Sequence, residues 1–192
     1  MNIPDTMLVI ETLGLFRLSV AGKTVVTEWP DESLKLLFCS LLSPLDLYFT
    51  WDRICRSTWD VPATNTTRHR LDEHLIRPLN ALLIREFGFT PLVSGPEGVR
   101  VNHDRIHVDA MDFYRTVLDG LRLMSIDDHP AALEALHRAG RLYTGNYLPG
   151  FTGKIITNTR TELESLYRTA VLDAGPIVRT FSYAGYVAHK GG

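Results

Sequence analysis

The chain has 192 residues, 45% of them hydrophobic and 22% charged, and a formal net charge of −2 at pH 7, which is typical of a globular protein of one or two domains. No apolar run approaches the roughly 20 residues needed to cross a bilayer, and no basic stretch precedes a long apolar segment at the N-terminus, so we expect a cytoplasmic protein without a membrane span. Because the chain has a slight acidic excess, its net charge does not provide affinity for DNA. Any such affinity must come from a local basic patch.

Short strands are predicted at the start of the chain. Met7–Leu13, Leu15–Val20 and Thr24–Val26 are rich in apolar and β-branched residues, with a glycine-containing turn before the last of them. They predict an N-terminal antiparallel sheet. Leu34–Leu42 then has the apolar spacing of a helix, which Ser43-Pro44 ends.

Two helices joined by a turn are predicted next. Thr50 is a suitable N-cap for a helix over Trp51–Thr58, and Thr64 or Asn65 for a longer helix that runs to about Phe87. Leucines three to four apart form an apolar stripe on the longer helix: Leu71, Leu75, Leu79 and Leu82. Basic side chains lie largely off this stripe, as in a helix-turn-helix whose second helix contacts DNA.

Pro78 lies inside this longer helix. A proline removes one intrahelical hydrogen bond and clashes with the carbonyl four residues earlier, here that of His74. A kink is therefore predicted between His74 and Pro78. It would leave the N-terminal half of the helix available for base contacts.

A β-hairpin is predicted after Gly88, which ends the long helix. Pro91–Val93 and Val99–Val101 alternate as strands around a turn that contains two glycines. Arg100 or Arg105 in this hairpin is a candidate for contact with the minor groove. The order of N-terminal antiparallel sheet, three helices and C-terminal β-hairpin predicts an α+β winged helix-turn-helix.

Helix-forming residues dominate after Asp109. Apolar spacing over Ala110–Met124, His129–Tyr143 and Thr159–Ala174 predicts three helices in an all-α helical-hairpin domain. These helices resemble tetratricopeptide units, although the sequence holds no second copy of a diagnostic repeat. An aromatic patch between residues 181 and 187 is predicted to dock on them.

Three local sequences resemble those of bacterial transcriptional activators: Ile10–Val20, Trp59-Asp60 and Leu142–Gly150. The last is the strongest match, since that family joins its second and third activator-domain helices with a similar aromatic, glycine, leucine-proline-glycine sequence. The chain is thus similar, over about residues 7 to 174, to the antibiotic regulatory protein group. In that group an OmpR-type winged helix precedes a helical bacterial transcriptional activator domain. The resemblance implies binding to double-stranded promoter DNA and frequent assembly as a homodimer, and RNA polymerase is a candidate further partner.

The residues predicted to contact DNA lie on the long helix and the hairpin: Thr66, Thr67, Arg68, Arg70, His74, Arg77 and Arg100. The resemblance assigns the helical ones by position, and the planar fork of arginine suits guanine O6 and N7. The alternative is a solvated face balanced by Asp72 and Glu73. The chain departs from the family at Pro78, where a core leucine is usual, and at Leu79, where a basic residue is usual.

Other chemistry has little support in the sequence. His69 and His74 do not share a helical face, so a metal site there is not expected. The chain has no phosphate-binding glycine loop and no nucleophile motif, and Cys39 and Cys55 are predicted to be buried thiols. We therefore predict no enzyme activity, cofactor or metal.

The leading hypothesis is a bacterial transcriptional regulator with a winged helix over residues 1–107 and a helical regulatory or oligomerisation domain over residues 108–192. The alternative is a protein-interaction module on the same scaffold that has lost DNA binding. Salt-dependent binding to DNA separates the two hypotheses.

Overall fold

The computed structural model describes residues 7–25 and 27–173. Its first sheet has the strand order β3 (Lys23–Val25), β2 (Arg17–Val20), β1 (Leu8–Glu11) and β7 (Ile106–Val108). The first three strands are antiparallel neighbours, as predicted, whereas β7 is parallel to β1. The sheet is therefore mixed, because a strand from much later in the chain completes it.

The predicted hairpin belongs to a second sheet. β5 (Leu92–Ser94) and β6 (Gly98–Val101) are antiparallel, and the short strand β4 (Phe49–Thr50) pairs with the other side of β6. Gly98 is needed here, since a Cβ at that position would overlap the Phe49 carbonyl oxygen. The sequence did not predict β4. This strand holds the hairpin beside the helix that follows β4 in the chain.

Helix α1 (Glu32–Leu41) begins at the N-cap Asp31, and α2 (Trp51–Trp59) begins at the N-cap Thr50. The Thr50 hydroxyl accepts a hydrogen bond from the Arg53 N–H at 3.2 Å. Both helices lie within two residues of their predicted bounds, because the capping side chains and apolar spacing are local signals.

The predicted long helix is present as one continuous run over residues 65–87. It consists of α3 (Asn65–Leu71), a π-helical turn (Asp72–Ile76) and α4 (Arg77–Phe87), with right-handed helical dihedrals at both junctions. Thr64 caps its start and Gly88, in the left-handed conformation, ends it. The irregularity predicted before Pro78 thus takes the form of a π-helical turn, whose hydrogen bonds close one residue later than those of an α-helix.

The two residues that follow the π-helical turn after Arg77 have opposite environments: Leu79 is fully buried, whereas Pro78 is exposed. Leu79 keeps the core position that its four-residue spacing from Leu71 and Leu75 predicts. The predicted apolar stripe is buried along its whole length, from Leu71 to Leu82.

Helices α5 (Asp109–Ser125) and α6 (His129–Leu142) pack against each other, close to their predicted bounds. Helix α7 (Lys154–Leu166) begins five residues before the predicted start at Thr159, and a second π-helical segment (Tyr167–Asp173) continues it. That segment packs against α6 and α5. The end predicted at Ala174 and the aromatic patch at residues 181–187 lie outside the described residues.

The two halves of the chain meet at a region that we call the seam, formed by residues 12–14, Asp109 and the loop 143–151. The Asp109 carboxylate accepts hydrogen bonds from the Thr12 N–H at 2.8 Å, the Thr12 hydroxyl at 2.6 Å and the Leu13 N–H at 3.1 Å. The Leu148 N–H donates to the Thr12 carbonyl at 2.7 Å. The loop that carries the Leu142–Gly150 motif is thereby attached to the end of β1.

Tyr147 and Arg160 extend the seam toward the core. Tyr147 is fully buried, and its hydroxyl donates to the Cys39 carbonyl of α1 at 3.3 Å. The Arg160 guanidinium donates to the carbonyls of Tyr147, Leu148 and Phe151 at 2.5 to 2.9 Å. One cluster of buried residues contains members from both sides of the predicted boundary at 107/108, and the division into two domains stays a prediction. Within the described ranges, no helix has both the length and the apolar character that a membrane span requires.

Candidate nucleic-acid interface

The long helix carries its polar side chains on the side opposite its buried leucines. We call the exposed residues on that side the polar face: Thr66, His69, Arg70, Glu73, His74 and Arg77. Arg68 is half-buried and lies three residues before Leu71, on the leucine side at the start of the helix. The structure therefore brings four of the seven predicted DNA-contacting residues onto one surface and places a fifth, Arg68, at the start of the same helix.

Thr67, the sixth, is engaged in the cap of the long helix. Its hydroxyl accepts from the Thr64 N–H at 2.7 Å and donates to the Pro62 carbonyl at 3.0 Å. The Thr67 N–H in turn donates to the Thr64 hydroxyl at 3.1 Å. This reciprocal capping box satisfies donors at the helix start, so Thr67 fixes the helix and the neighbouring Thr66 is the exposed hydroxyl.

The turn before the long helix is fixed by Asp52 of α2. One of its carboxylate oxygens accepts from the Ala63 N–H at 3.0 Å and the other from Arg56 at 2.7 Å. The Ala63 hydrogen bond, followed by that from Arg56, holds the pKa of Asp52 below its ordinary value. The charged carboxylate thus fixes the turn between α2 and the long helix, which carries the polar face.

Arg68 lies over an aromatic ring at the start of the long helix. Its guanidinium carbon is 5.1 Å from the centre of the Trp51 ring, within the range of a cation–π interaction. The Trp51 indole N–H also donates to the Gly95 and Pro96 carbonyls of the hairpin turn, at 3.2 and 3.1 Å. Trp51 therefore connects the hairpin to the start of the long helix.

A cleft of about 360 Å³ separates the start of the long helix from the hairpin turn. Its lining residues come from both elements and from Trp51: Trp51, Asn65, Arg68, His69, Asp72, Ser94 and Gly95. Arg100, the seventh predicted residue, is exposed on β6 opposite Val93 and does not line the cleft. The hairpin contributes its turn rather than Arg100 to this space.

Arg70 has a similar aromatic support. Its guanidinium carbon lies 5.3 Å from the centre of the ring of Trp59, the last residue of α2. The two tryptophans at the ends of α2 thus lie beneath two arginines of the long helix. The sequence did not predict this role, although the tryptophans stand at the first and last residues of α2.

Acidic residues are paired with the basic ones along the helix. Arg77 Nε lies 2.8 Å from Asp72 Oδ2, and His69 Nε2 lies 3.2 Å from Glu73 Oε1. The predicted balance of this surface by Asp72 and Glu73 is therefore present in the structure. These pairs are largely exposed, so each contributes little to stability.

The structure offers no sign of a metal site or reactive thiol within residues 7–25 and 27–173. These ranges contain no group of three or more histidine, cysteine, aspartate or glutamate side chains arranged to hold a metal ion. Cys39 and Cys55 are buried, as predicted. Burial raises the pKa of Cys39 to about 12 and also raises that of Cys55, so both remain protonated at neutral pH.

Neither protein-family models nor curated protein sequences match this chain. The fold is similar to that of EmbR from Mycobacterium tuberculosis, solved in complex with a low-affinity phosphopeptide, with a TM-score of 0.52 at 17% identity. The similarity covers 90% of this chain and 44% of EmbR, so the chain spans less than half the length of that protein. At this identity the comparison shows a shared fold: a mixed α+β arrangement with a small N-terminal sheet followed by helices.

Proposed function

We propose that the chain is a bacterial transcriptional regulator that binds double-stranded DNA through a winged helix formed by the long helix and the β5–β6 hairpin. The observation that carries the proposal is the polar face with the exposed Arg70 supported by Trp59, next to a helix start where Trp51 supports the half-buried Arg68. Arginines on a helix beside a hairpin suit contacts with base edges in the major groove and with phosphates beside it. The fold shared with EmbR, a transcriptional regulator, supports the same function.

The proposal is tested with fluorescently labelled duplexes from the region upstream of the protein's own coding sequence. Anisotropy titrations of the full chain at several salt concentrations should give an affinity that falls steeply as salt rises. Arg68→Ala with Arg70→Ala should weaken binding at least tenfold and flatten the salt dependence. The matched control is Arg122→Ala with Arg138→Ala, which removes two exposed arginines from α5 and α6. It should leave binding unchanged.

A protein-interaction module that has lost DNA binding is the second candidate. It is favoured by the pairing of Arg77 and His69 with acidic neighbours, which reduces the positive charge available for phosphate. The absence of any DNA affinity at low salt would favour this module, as would a double variant that binds DNA as tightly as the wild type.

We further propose that the protein acts in the cytoplasm as a homodimer on direct repeats, without enzymatic activity, and that RNA polymerase is a partner of the DNA-bound form. Sedimentation velocity with and without a duplex carrying two sites tests the dimer. A complex that contains a single protein chain on such a duplex would contradict it.

A further inference from the structure

Glu73 is the acidic residue of the polar face. Its side chain is 45% exposed, and it lies one helical turn from both His69 and Arg77. Asp72, by contrast, is 24% exposed, is paired with Arg77 and lines the cleft. Of the two acids, Glu73 is therefore the one that a duplex lying against the polar face would meet.

The contacts of Glu73 leave it free to accept further hydrogen bonds. Its Oε1 lies 3.2 Å from His69 Nε2, and this contact occupies one of the roughly four acceptor positions of a carboxylate. An exposed pair of this kind stabilises a helix by only about 0.5 kcal/mol. The pair with His69 thus offsets little of the electrostatic repulsion that a carboxylate would cause on a surface that binds phosphate.

The chemistry of the base edges indicates a role for this carboxylate. A carboxylate accepts a hydrogen bond from the N4 amino group of cytosine, and it is repelled by the acceptors O6 and N7 of guanine and O4 of thymine. Adenine also has an amino group, N6, but the acceptor N7 beside it repels a carboxylate. We propose that Glu73 is a specificity-determining residue that selects cytosine at one position of the bound DNA and rejects guanine and thymine there. This inference rests on the proposed DNA binding of the polar face.

The test is a selection of binding sites from a duplex pool with a randomised central segment, using the full chain. The wild type should enrich cytosine at one position, with about tenfold weaker binding when thymine replaces it. Glu73→Ala should lose this preference. Glu73→Gln should shift it toward adenine, because a glutamine amide pairs with adenine N6 and N7.

Glu86→Gln is the matched control, since Glu86 lies near the end of the same helix and is paired with Arg85. It removes the same charge and should keep the cytosine preference. If Glu73→Gln and Glu86→Gln raise affinity equally for all sequences and leave the preference unchanged, Glu73 acts only through its charge and the inference is overturned. If the wild type enriches no sequence, the proposed function fails, and the inference fails with it.

Discussion

Polar side chains at the seam and on the polar face differ in their exposure and in their number of hydrogen-bond partners. At the seam, Asp109 and Arg160 are half-buried and are each bonded to several backbone groups. On the polar face, Arg77 and His69 have single acidic partners in solvent. Several partly buried hydrogen bonds are costly to lose, whereas exposed pairs exchange easily with water or a ligand. We therefore expect substitutions at the seam to affect mainly stability and substitutions on the polar face to affect mainly binding.

The largest effect is expected at the seam, for Asp109→Ala. It leaves the N–H groups of Thr12 and Leu13 without their acceptor, and we expect the free energy of unfolding to fall by about 3 kcal/mol. Urea denaturation followed by circular dichroism measures this change. Asp104→Ala, at an exposed residue nearby, should change stability by less than about 0.5 kcal/mol. An equal loss of stability in Asp109→Ala and Asp104→Ala would contradict the greater importance of the seam.

A smaller effect is expected inside the long helix, for Pro78→Ala. Proline costs about 3 kcal/mol in a regular helix interior, and the π-helical turn before Pro78 already absorbs part of that cost. We expect the free energy of unfolding to rise by about 1 kcal/mol. Ala81→Pro, at an exposed position in regular α-helix, should lower it by about 3 kcal/mol. Destabilisation by Pro78→Ala would mean that the proline itself maintains the turn.

At the polar face, Trp59→Ala should weaken DNA binding in addition to lowering stability, since Trp59 is partly buried and packs against the core. Loss of the aromatic support of Arg70 should weaken DNA binding by roughly threefold, the equivalent of an exposed cation–π contact. Trp59→Phe should retain part of the affinity, since a phenyl ring keeps a π face. In the background of Arg70→Ala, Trp59→Ala should cause no further loss. A further threefold loss in that background would show that Trp59 acts independently of Arg70.

The smallest effects concern two carboxylates whose pKa values move in opposite directions. Burial raises the pKa of Asp109 above its ordinary 3.8, so its contribution to stability is greatest below 3.8 and falls as pH rises through the folded value. The hydrogen bond from Lys154 lowers the pKa of Asp60, so its contribution is present above 3.8 and is lost as pH falls through the folded value. Carboxyl-carbon NMR titration should place the Asp60 midpoint below 3.8 and that of Asp109 above it. Lys154→Ala should move only the Asp60 midpoint upward, and a shift of both would contradict the assignment.

Local signals in the sequence predicted much of the fold. The caps Thr50 and Thr64 predicted where two helices begin, and the leucine stripe predicted the buried side of the long helix. Both signals depend only on neighbours within a few residues. The parallel pairing of β7 with β1 and the contact of Asp109 with Thr12 were not predicted. These partners lie about 97 residues apart in the chain, and no local pattern determines which distant segments meet.

The candidate site was predicted in part for the same reason. Helical spacing placed Arg70, His74 and Arg77 on one surface. The tryptophans beneath Arg68 and Arg70 were missed, because their positions depend on how α2 packs against the long helix. The π-helical form of the turn before Pro78 was also missed, since a proline indicates an irregularity in the helix but not its hydrogen-bonding pattern.

The positions of two tryptophans allow binding at the long helix to be followed by fluorescence. The chain has three tryptophans, and Trp51 and Trp59 lie within about 5.3 Å of arginine side chains of the long helix. A bound molecule that draws either guanidinium away should change the electrostatic environment of the indole beneath it, and with it the wavelength and yield of its emission. The intrinsic fluorescence of unlabelled protein should therefore change on binding, while Trp29, which lies beside Phe38, adds a constant background.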